Sequence, residues 1–410
     1  MGIIGMGTLE AQNQDPAEAS ELSIKRLGDD SVVIEFDGIL QRSTALDGSW
    51  TDVPGAQSPY TVTAEGELAL FRIRREADIF ADSAPAAFTL TGPFQRHFDL
   101  AFAGLPDGIF PPVREKPYFE ASLTLDDRTL PVRIRVRGNS SLQECPFPKL
   151  KVKISRSNRA GTPFAHAREI KIGTHCAEGG MGTIGRLREE KAAYREVLIY
   201  EAMDRLGFTG PRTRRALIEY VDPTGDADHW PVKRMAFIFE HVEVLAENMN
   251  GRALEDEEVA QLTDAGFDEQ LTLELKLFHA LVGNWDYALS VSGEGLWNTE
   301  VIRLDDASLL PVAGDFDLAA WVTGAVLVSA PRDYLPQLDD VPREINYRLG
   351  EIAAEHGAAR FEIARNRFLA AQAQIEQLIL AADVDDEGRS FAGDYTSNFF
   401  EILARAKPLR

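Results

Sequence analysis

Between Leu22 and Arg75 apolar and polar residues alternate in short runs broken by turn-forming residues: "SVVIEFDGIL", "SWTDVPGAQSPYTV" and "ELALFRIRR". Alternation with period two predicts strands with one buried face. Glu65-Gly66, between "YTVTA" and "ELALFRI", predicts a hairpin turn. The pattern predicts a small all-β, sandwich-like module over 21–78, preceded by a tail over 1–20. A linker over 79–93, containing "DSAPAAFTLTGP", leads into the main body over 94–410.

In that body strands come first. "YFEASLTLDDRTLPVRIRVRG", "KLKVKI" and "REIKIG" carry the period-two pattern between Tyr118 and Gly173. The period then changes to that of a helix in "LREEKAAYREVLIYEAMDRLG", where Tyr194, Leu198, Ala202 and Leu206 share a stripe and Gly207 supplies a stop. Two more strands are predicted at "RRALIEYVD" and "KRMAFIFEHVEV". A helix is predicted to start at Asp268, aligning Leu271, Leu275, Phe278 and Val282. Helical periodicity also fills 342–382, notably "AARFEIARNRFLAAQAQIEQLILA". Strands followed by helices predict an α+β, two-lobed domain.

Composition narrows the function classes. The 410 residues are 44% hydrophobic and 26% charged, as in a folded globular protein, and the length predicts two or three domains. A formal net charge of -22 argues against nucleic acid as a default partner, because binding a phosphate backbone needs a basic stripe and none dominates the sequence. No apolar run reaches the roughly 18 residues of a membrane span. Cys145 and Cys176 are too few for a disulfide scaffold; one bridge and two free thiols remain open readings. The apolar start ends in small residues, with Ala11 before Gln12, but has no basic segment ahead of it. It reads as a signal-peptide remnant or a disordered start, which leaves both an extracytoplasmic and a cytoplasmic location open.

Four segments carry candidate chemistry. In "RIRVRGNSSLQECPFPKLKVKI" a loop containing Gly138, Asn139, Ser140 and Ser141 offers backbone N–H groups and hydroxyls to phosphate oxygens. On the strand after it, Lys149, Lys151 and Lys153 alternate with apolar residues and so share a face. The helix with Arg195, Glu196 and Glu201 can supply a glutamate to hold such a lysine. "LVGNWDYALSVSGEGLWNTEVIRLDD" places Asp286 just beyond a helix end, with Asn298 twelve residues later. A loop carboxylate can take a hydroxyl proton, and an amide oxygen can help hold a metal. Finally "PVAGDFDLAAW" puts Asp315 and Asp317 between apolar runs, after a hairpin predicted across Asp305–Ser308. Gly-Asp is ordinary turn chemistry. The order of loop carboxylate, hairpin and Asp-Phe-Asp favours a Mg²⁺ site over a turn alone.

The residues from Tyr118 to Trp321 resemble the spore coat protein H (CotH) kinase-like family of atypical kinases. The likeness rests on "VRIRVRGNSS", "FPKLKVKI", "AAYREVLIYEAMDRLGF", "MAFIFEHVE", "NWDY" and "GDFDLA", in that order. The segment over 21–78 is similar to β modules appended to bacterial surface proteins. The resemblance implies an atypical kinase-like, two-lobed fold, ATP with Mg²⁺ or Mn²⁺, and phosphoryl transfer to protein Ser or Thr. It assigns Asp286 as the catalytic base, and Asp315, Asp317 and Asn298 to the metal. Arg137, Gly138, Asn139, Ser140 and Lys153 go to the nucleotide phosphates, with Lys171 as the rival lysine. The chain departs from the family pattern in three places. Tyr287 and Ala288 follow Asp286 in place of an Asp-Arg-His type run. "ALSVSGEGLW" lengthens the gap to Asn298, and Phe147-Pro148 stands where paired lysines are usual.

The expected function is therefore ATP- and metal-dependent phosphotransfer to a protein acceptor. The alternative is a pseudokinase-like surface scaffold without catalysis. Metal-dependent hydrolysis ranks last, because none of the seven histidines has a ligand spacing.

Overall fold

The computed structural model describes residues 2–4, 22–26, 31–36, 39–43, 51–63, 69–74, 78–103, 116–138, 142, 147–174, 190–291, 295–325 and 341–406. The chain divides into two compact units, Met1–Ala81 with Ala160–Ala165, and Asp82–Arg159 with His166–Arg410.

In the first unit the strands are β1 (Gly2–Ile4), β2 (Leu22–Arg26), β3 (Ser31–Phe36), β4 (Ile39–Ser43), β5 (Thr51–Asp52), β6 (Tyr60–Thr63) and β7 (Ala69–Arg74). They form two antiparallel sheets, β1-β7-β4-β5 and β2-β3-β6. Ile34 from one sheet and Leu40 and Phe71 from the other are buried together, so alternation has produced a shared core. Two sequence expectations change. Residues 2–4, read as tail, pair with β7. The strands flanking Glu65-Gly66 do not form a hairpin: β6 pairs with β3, whereas β7 pairs with β4. Turn residues mark a reversal, but they do not say whether the chain stays in its sheet or crosses to the other.

The second unit opens with β8 (Ala86–Thr91), α1 (Phe94–Phe102), β9 (Phe119–Leu125), β10 (Arg128–Val136), β11 (Leu150–Lys153), α2 (Arg156–Arg159), β12 (Glu169–Thr174), α3 (Ala192–Arg205), β13 (Thr213–Val221) and β14 (Val232–Glu240). Seven of these strands close into a barrel in the order β10-β11-β12-β14-β13-β8-β9. Residues 86–91, which the sequence presents as linker, are a barrel strand paired in parallel with β13. Leu90, Leu123, Ile134, Val152, Ile172, Ile218 and Ile238 are all 0% exposed, and a barrel of this size is filled by side chains. The charged residues of β10 and β11 therefore lie on the other face of their strands. Gly173 on β12 leaves room for Phe237, whose ring would lie 2.0 Å from any Cβ added there.

The second unit continues with α4 (Val242–Asn248), β15 (Gly251–Ala253), α5 (Asp256–Val259), α6 (Glu269–Val282), β16 (Thr299–Leu304), β17 (Leu309–Ala313), α7 (Ala320–Thr323), α8 (Val341–His356), α9 (Ala358–Ala381) and α10 (Asp386–Arg405). The predicted strand "KRMAFIFEHVEV" stops at Glu240, because His241 caps α4 by accepting from the Glu243 N–H. Asp268 caps α6 as expected, accepting from the Leu271 N–H at 2.7 Å. Gly283 ends that helix at φ +66. Helices α3, α6, α8, α9 and α10 contribute to one buried cluster containing Leu198, Phe278, Leu349, Phe368 and Phe399. The mixed α and β composition holds, although helices interrupt the barrel strands and β15, β16 and β17 fall among the later helices. Among the described residues no helix is long and apolar enough to cross a membrane. Cys145 and Cys176 lie outside the described residues.

Candidate functional site

The β16–β17 hairpin delivers the chain to Gly314, and Asp315 follows at φ +55. Aspartate tolerates the left-handed region better than most residues. Phe316 is 0% exposed and packs edge-on to Tyr200 and Phe278. The Phe316 N–H donates to Glu196 Oε1 at 3.3 Å, and the Asp315 N–H to Tyr200 Oη at 3.3 Å. Glu196 and Tyr200, one turn apart on α3, thus share a face and hold the bend. A turn is indeed present, and its anchored phenylalanine fixes the aspartates on either side.

Lys149 meets them from the residue before β11. Its Nζ lies 2.8 Å from Asp315 Oδ1 and 3.0 Å from Asp317 Oδ2, and the residue is 3% exposed. Burial opposes the ammonium, but the two carboxylates outweigh it and raise its pKa. Partial burial opposes the half-exposed Asp315 anion, and Lys149, then Arg137, overcome this and hold its pKa low. Glu196 behaves oppositely. Its burial pushes the carboxyl up, Lys149 counters in part, and Asp317 and Asp315 push it further.

Asp286 is held through both carboxylate oxygens. Trp297 Nε1 donates to Oδ1 at 3.0 Å and Asn298 Nδ2 to Oδ2 at 3.1 Å. Asn298 Nδ2 also donates to the Asp286 backbone carbonyl at 2.7 Å, and the Asn298 carbonyl accepts from the Gly314 N–H at 3.0 Å. Asn298 therefore ties the Asp286 loop to the Asp315 bend. Burial raises the Asp286 pKa; the Trp297 bond opposes this, and the charges of Asp317 and Asp315 add to it. The segment between them is closed by paired backbone bonds between Ala288 and Trp297. It is also tied to Asp264 through the Ser290 hydroxyl and the Val291 N–H.

Beside the aspartates lies a cavity of about 270 Å³, with Arg137, Lys171, Glu196, Asn298 and Asp315 on its polar walls and Val242, Leu245 and Val312 on its apolar ones. Arg137 and Lys171 both sit over the Phe239 ring, at 4.9 and 5.6 Å. Arg137 Nε is buried and has no hydrogen-bond partner among the described residues. Lys171 Nζ lies 2.9 Å from Glu300. Of the other residues singled out in the sequence, Gly138 has φ +91 and accepts at its carbonyl from Lys116. Asn139 and Ser140 lie outside the described residues. Lys153 does not line the cavity; its Nζ is 3.5 Å from Glu169 and 5.4 Å from the Tyr118 ring centre.

Lysine alternation could not rank its members: Lys149 meets Asp315 and Asp317, whereas Lys151 and Lys153 lie by Glu169. Lys149 is distinguished by depth, which no local pattern reports. On α3, Glu196 sits among the site residues while Glu201 pairs with Arg215 and Arg195 with Asp385. Among the described residues no group of three or more His, Cys, Asp and Glu side chains could hold a metal. A magnesium ion on nucleotide phosphates needs only one or two carboxylates, its other positions going to water and phosphate oxygens. The Asp315–Asp317 pair is chemically suited to that role.

The middle lysine of the strand is engaged elsewhere. Glu169, 6% exposed, receives Lys151 Nζ at 2.6 Å and His241 Nε2 at 2.9 Å. Burial alone would raise its pKa, but hydrogen bonds from His241 and Lys151 hold it far below the ordinary 4.5. A depressed carboxylate stabilises the fold above its unfolded pKa, and that contribution is lost as pH falls through the folded value. We expect Glu169→Gln to destabilise the protein by about 2 kcal/mol at pH 7. The gap between wild type and variant should close as pH drops below 4.5, read by urea unfolding at a series of pH values. A gap independent of pH would remove the charge from the explanation.

The chain matches no known protein family, and no curated protein matches it.

Proposed function

We propose that this chain is an atypical kinase-like phosphotransferase, using ATP with Mg²⁺ or Mn²⁺ to phosphorylate a protein hydroxyl, as its CotH-like motifs imply. One observation carries the reading. A buried ammonium is seated on two carboxylates at the edge of a cavity that also presents Arg137 and Lys171. Anionic and cationic groups so close together suit a ligand with both a metal and phosphates.

In this reading Asp315 and Asp317 would hold a divalent ion, which would supply charge neutralisation at the transferring phosphate. Lys149 keeps those carboxylates ionised and oriented. Arg137, whose Nε has no partner among the described residues, and Lys171 offer donors to phosphate oxygens. Asp286 takes the acceptor hydroxyl proton as that oxygen bonds to phosphorus and ADP leaves. Its elevated pKa suits a base working nearer neutrality. Trp297 and Asn298 act as positioning residues, because each donates to an Asp286 oxygen.

The same contacts support the competing scaffold reading, since Lys149 already pairs with both aspartates. The two readings part in a thermal-shift measurement with millimolar ATP and either Mg²⁺ or Mn²⁺. Phosphotransfer requires a metal-dependent rise of about 2–5 °C in wild type that is absent from Asp315→Ala. No rise in either protein with either metal would leave the scaffold as the reading.

A further inference from the structure

A second cavity, of about 390 Å³, lies on the barrel where β10, β11 and α2 meet. It shares no lining residue with the first. Five cationic side chains line it, Arg133, Lys153, Arg156, Arg159 and Arg168, against a single carboxylate, Glu120. Such clustering in a chain of net charge -22 needs a physical account.

The charges are satisfied unequally. Arg168 pairs with Glu243 and Glu247, Lys153 lies 3.5 Å from Glu169, and Arg159 donates to the Ile154 carbonyl. Arg133 faces Glu120 across the β9–β10 ladder without forming an ion pair, and packs on the Tyr118 ring at 5.4 Å. Neither Arg133 nor Arg156 meets a carboxylate among the described residues, and both are exposed. Two unneutralised guanidinium groups beside three other cations, two arginines and a lysine, repel one another, and an anionic ligand would relieve this.

We propose that this cavity is a docking site for an acidic polypeptide segment. Exposure decides against a single small anion. Charges in water are screened, so one phosphate or carboxylate gains little from each arginine. A chain carrying several carboxylates engages several cations at one entropic cost, and binding grows by effective concentration. A long nucleic acid is disfavoured by the acidic remainder of the protein. Guanidinium forks also match carboxylates in bidentate geometry.

The probe is a fluorescein-labelled octaglutamate peptide, followed by anisotropy at about 20 mM and about 150 mM salt, where the Debye length is roughly 21 Å and roughly 8 Å. The full chain should bind it, more weakly at the higher salt. The Arg133→Gln/Arg156→Gln double variant should bind about tenfold more weakly. Both side chains are exposed, so the melting temperature should not move. If it does, Arg156→Gln alone, with about threefold weaker binding, carries the test. Asp315→Ala should bind the peptide as wild type does, which separates this site from the phosphotransfer reading. Equal binding by wild type and double variant, or no binding by wild type, would overturn the site. Displacement by free tripolyphosphate at concentrations no higher than those of unlabelled peptide would overturn the polypeptide as its ligand.

Discussion

Lys149→Met should cost the protein about 2–4 kcal/mol and make its stability respond to divalent cations. Removing one partner from a buried ion pair costs roughly 3–5 kcal/mol, because the remaining charge is left in a poorly solvating place. Here the figure is reduced, since the Asp315 side chain is 43% exposed and water can reach it, although Asp317 is only 16% exposed. Methionine preserves the length and apolar stem, so the loss reports charge rather than a cavity. The ammonium's contribution is complete below its ordinary pKa of 10.5 and is lost only as pH rises above that, so pH 7 is a clean condition. Urea unfolding with and without magnesium is the measurement. With the lysine gone, the aspartate pair faces an open position, and a cation bound there stabilises by mass action. A variant as stable as wild type, or one indifferent to magnesium, would mean that the aspartates are not held as a cation-binding pair.

Asp286→Asn should abolish transfer while sparing nucleotide binding. A positioned base contributes roughly 10²- to 10⁴-fold, and asparagine retains the shape but cannot accept the proton. Asp286 does not line the cavity, so the ATP-dependent thermal shift should persist. The variant should also be no less stable than wild type. A carboxylate whose folded pKa is raised weakens the fold as pH rises above its ordinary 3.8, and the neutral amide escapes that penalty. Stability retained with activity lost is the mark of a group kept for chemistry rather than for folding. Phosphate transfer at the wild-type rate would remove Asp286 from the mechanism, and the paired stability measurement separates this from a folding defect.

How much was legible beforehand depended on whether the determining contacts were local. Asp268 and Gly283 bound α6 through their own backbone neighbours, and the β16–β17 hairpin follows from a polar turn between apolar runs. These elements could be read directly. By contrast, β6 and β7 join different sheets, and residues 86–91 pair with a strand more than a hundred residues later. Nothing near either segment encodes its partner. The site divides in the same way. Asp286, Asn298, Asp315 and Asp317 stand out as polar residues interrupting apolar segments. Lys149 looks like Lys151 and Lys153 until the fold buries one end of the strand. Arg133 and Arg156 attract notice only once β10 and α2 are brought around a common cavity.

The parallel seam between β8 and β13 has a consequence for how the chain acquires its structure. From β8 through β12 each barrel strand pairs antiparallel with the next along the chain, and β13 pairs with β14 in the same manner. Only β12 with β14 and β8 with β13 join distant segments. Such contacts restrain a long loop before any pairing is gained, which places barrel closure late and makes it slow. A chain emerging from the ribosome must therefore carry β8 with one edge unpaired until Val221 has been made. Unpaired edges recruit other strands. Expression from the amino terminus to any point short of Val221 should yield aggregation-prone material, whereas fragments that end beyond β14 carry every strand the barrel needs.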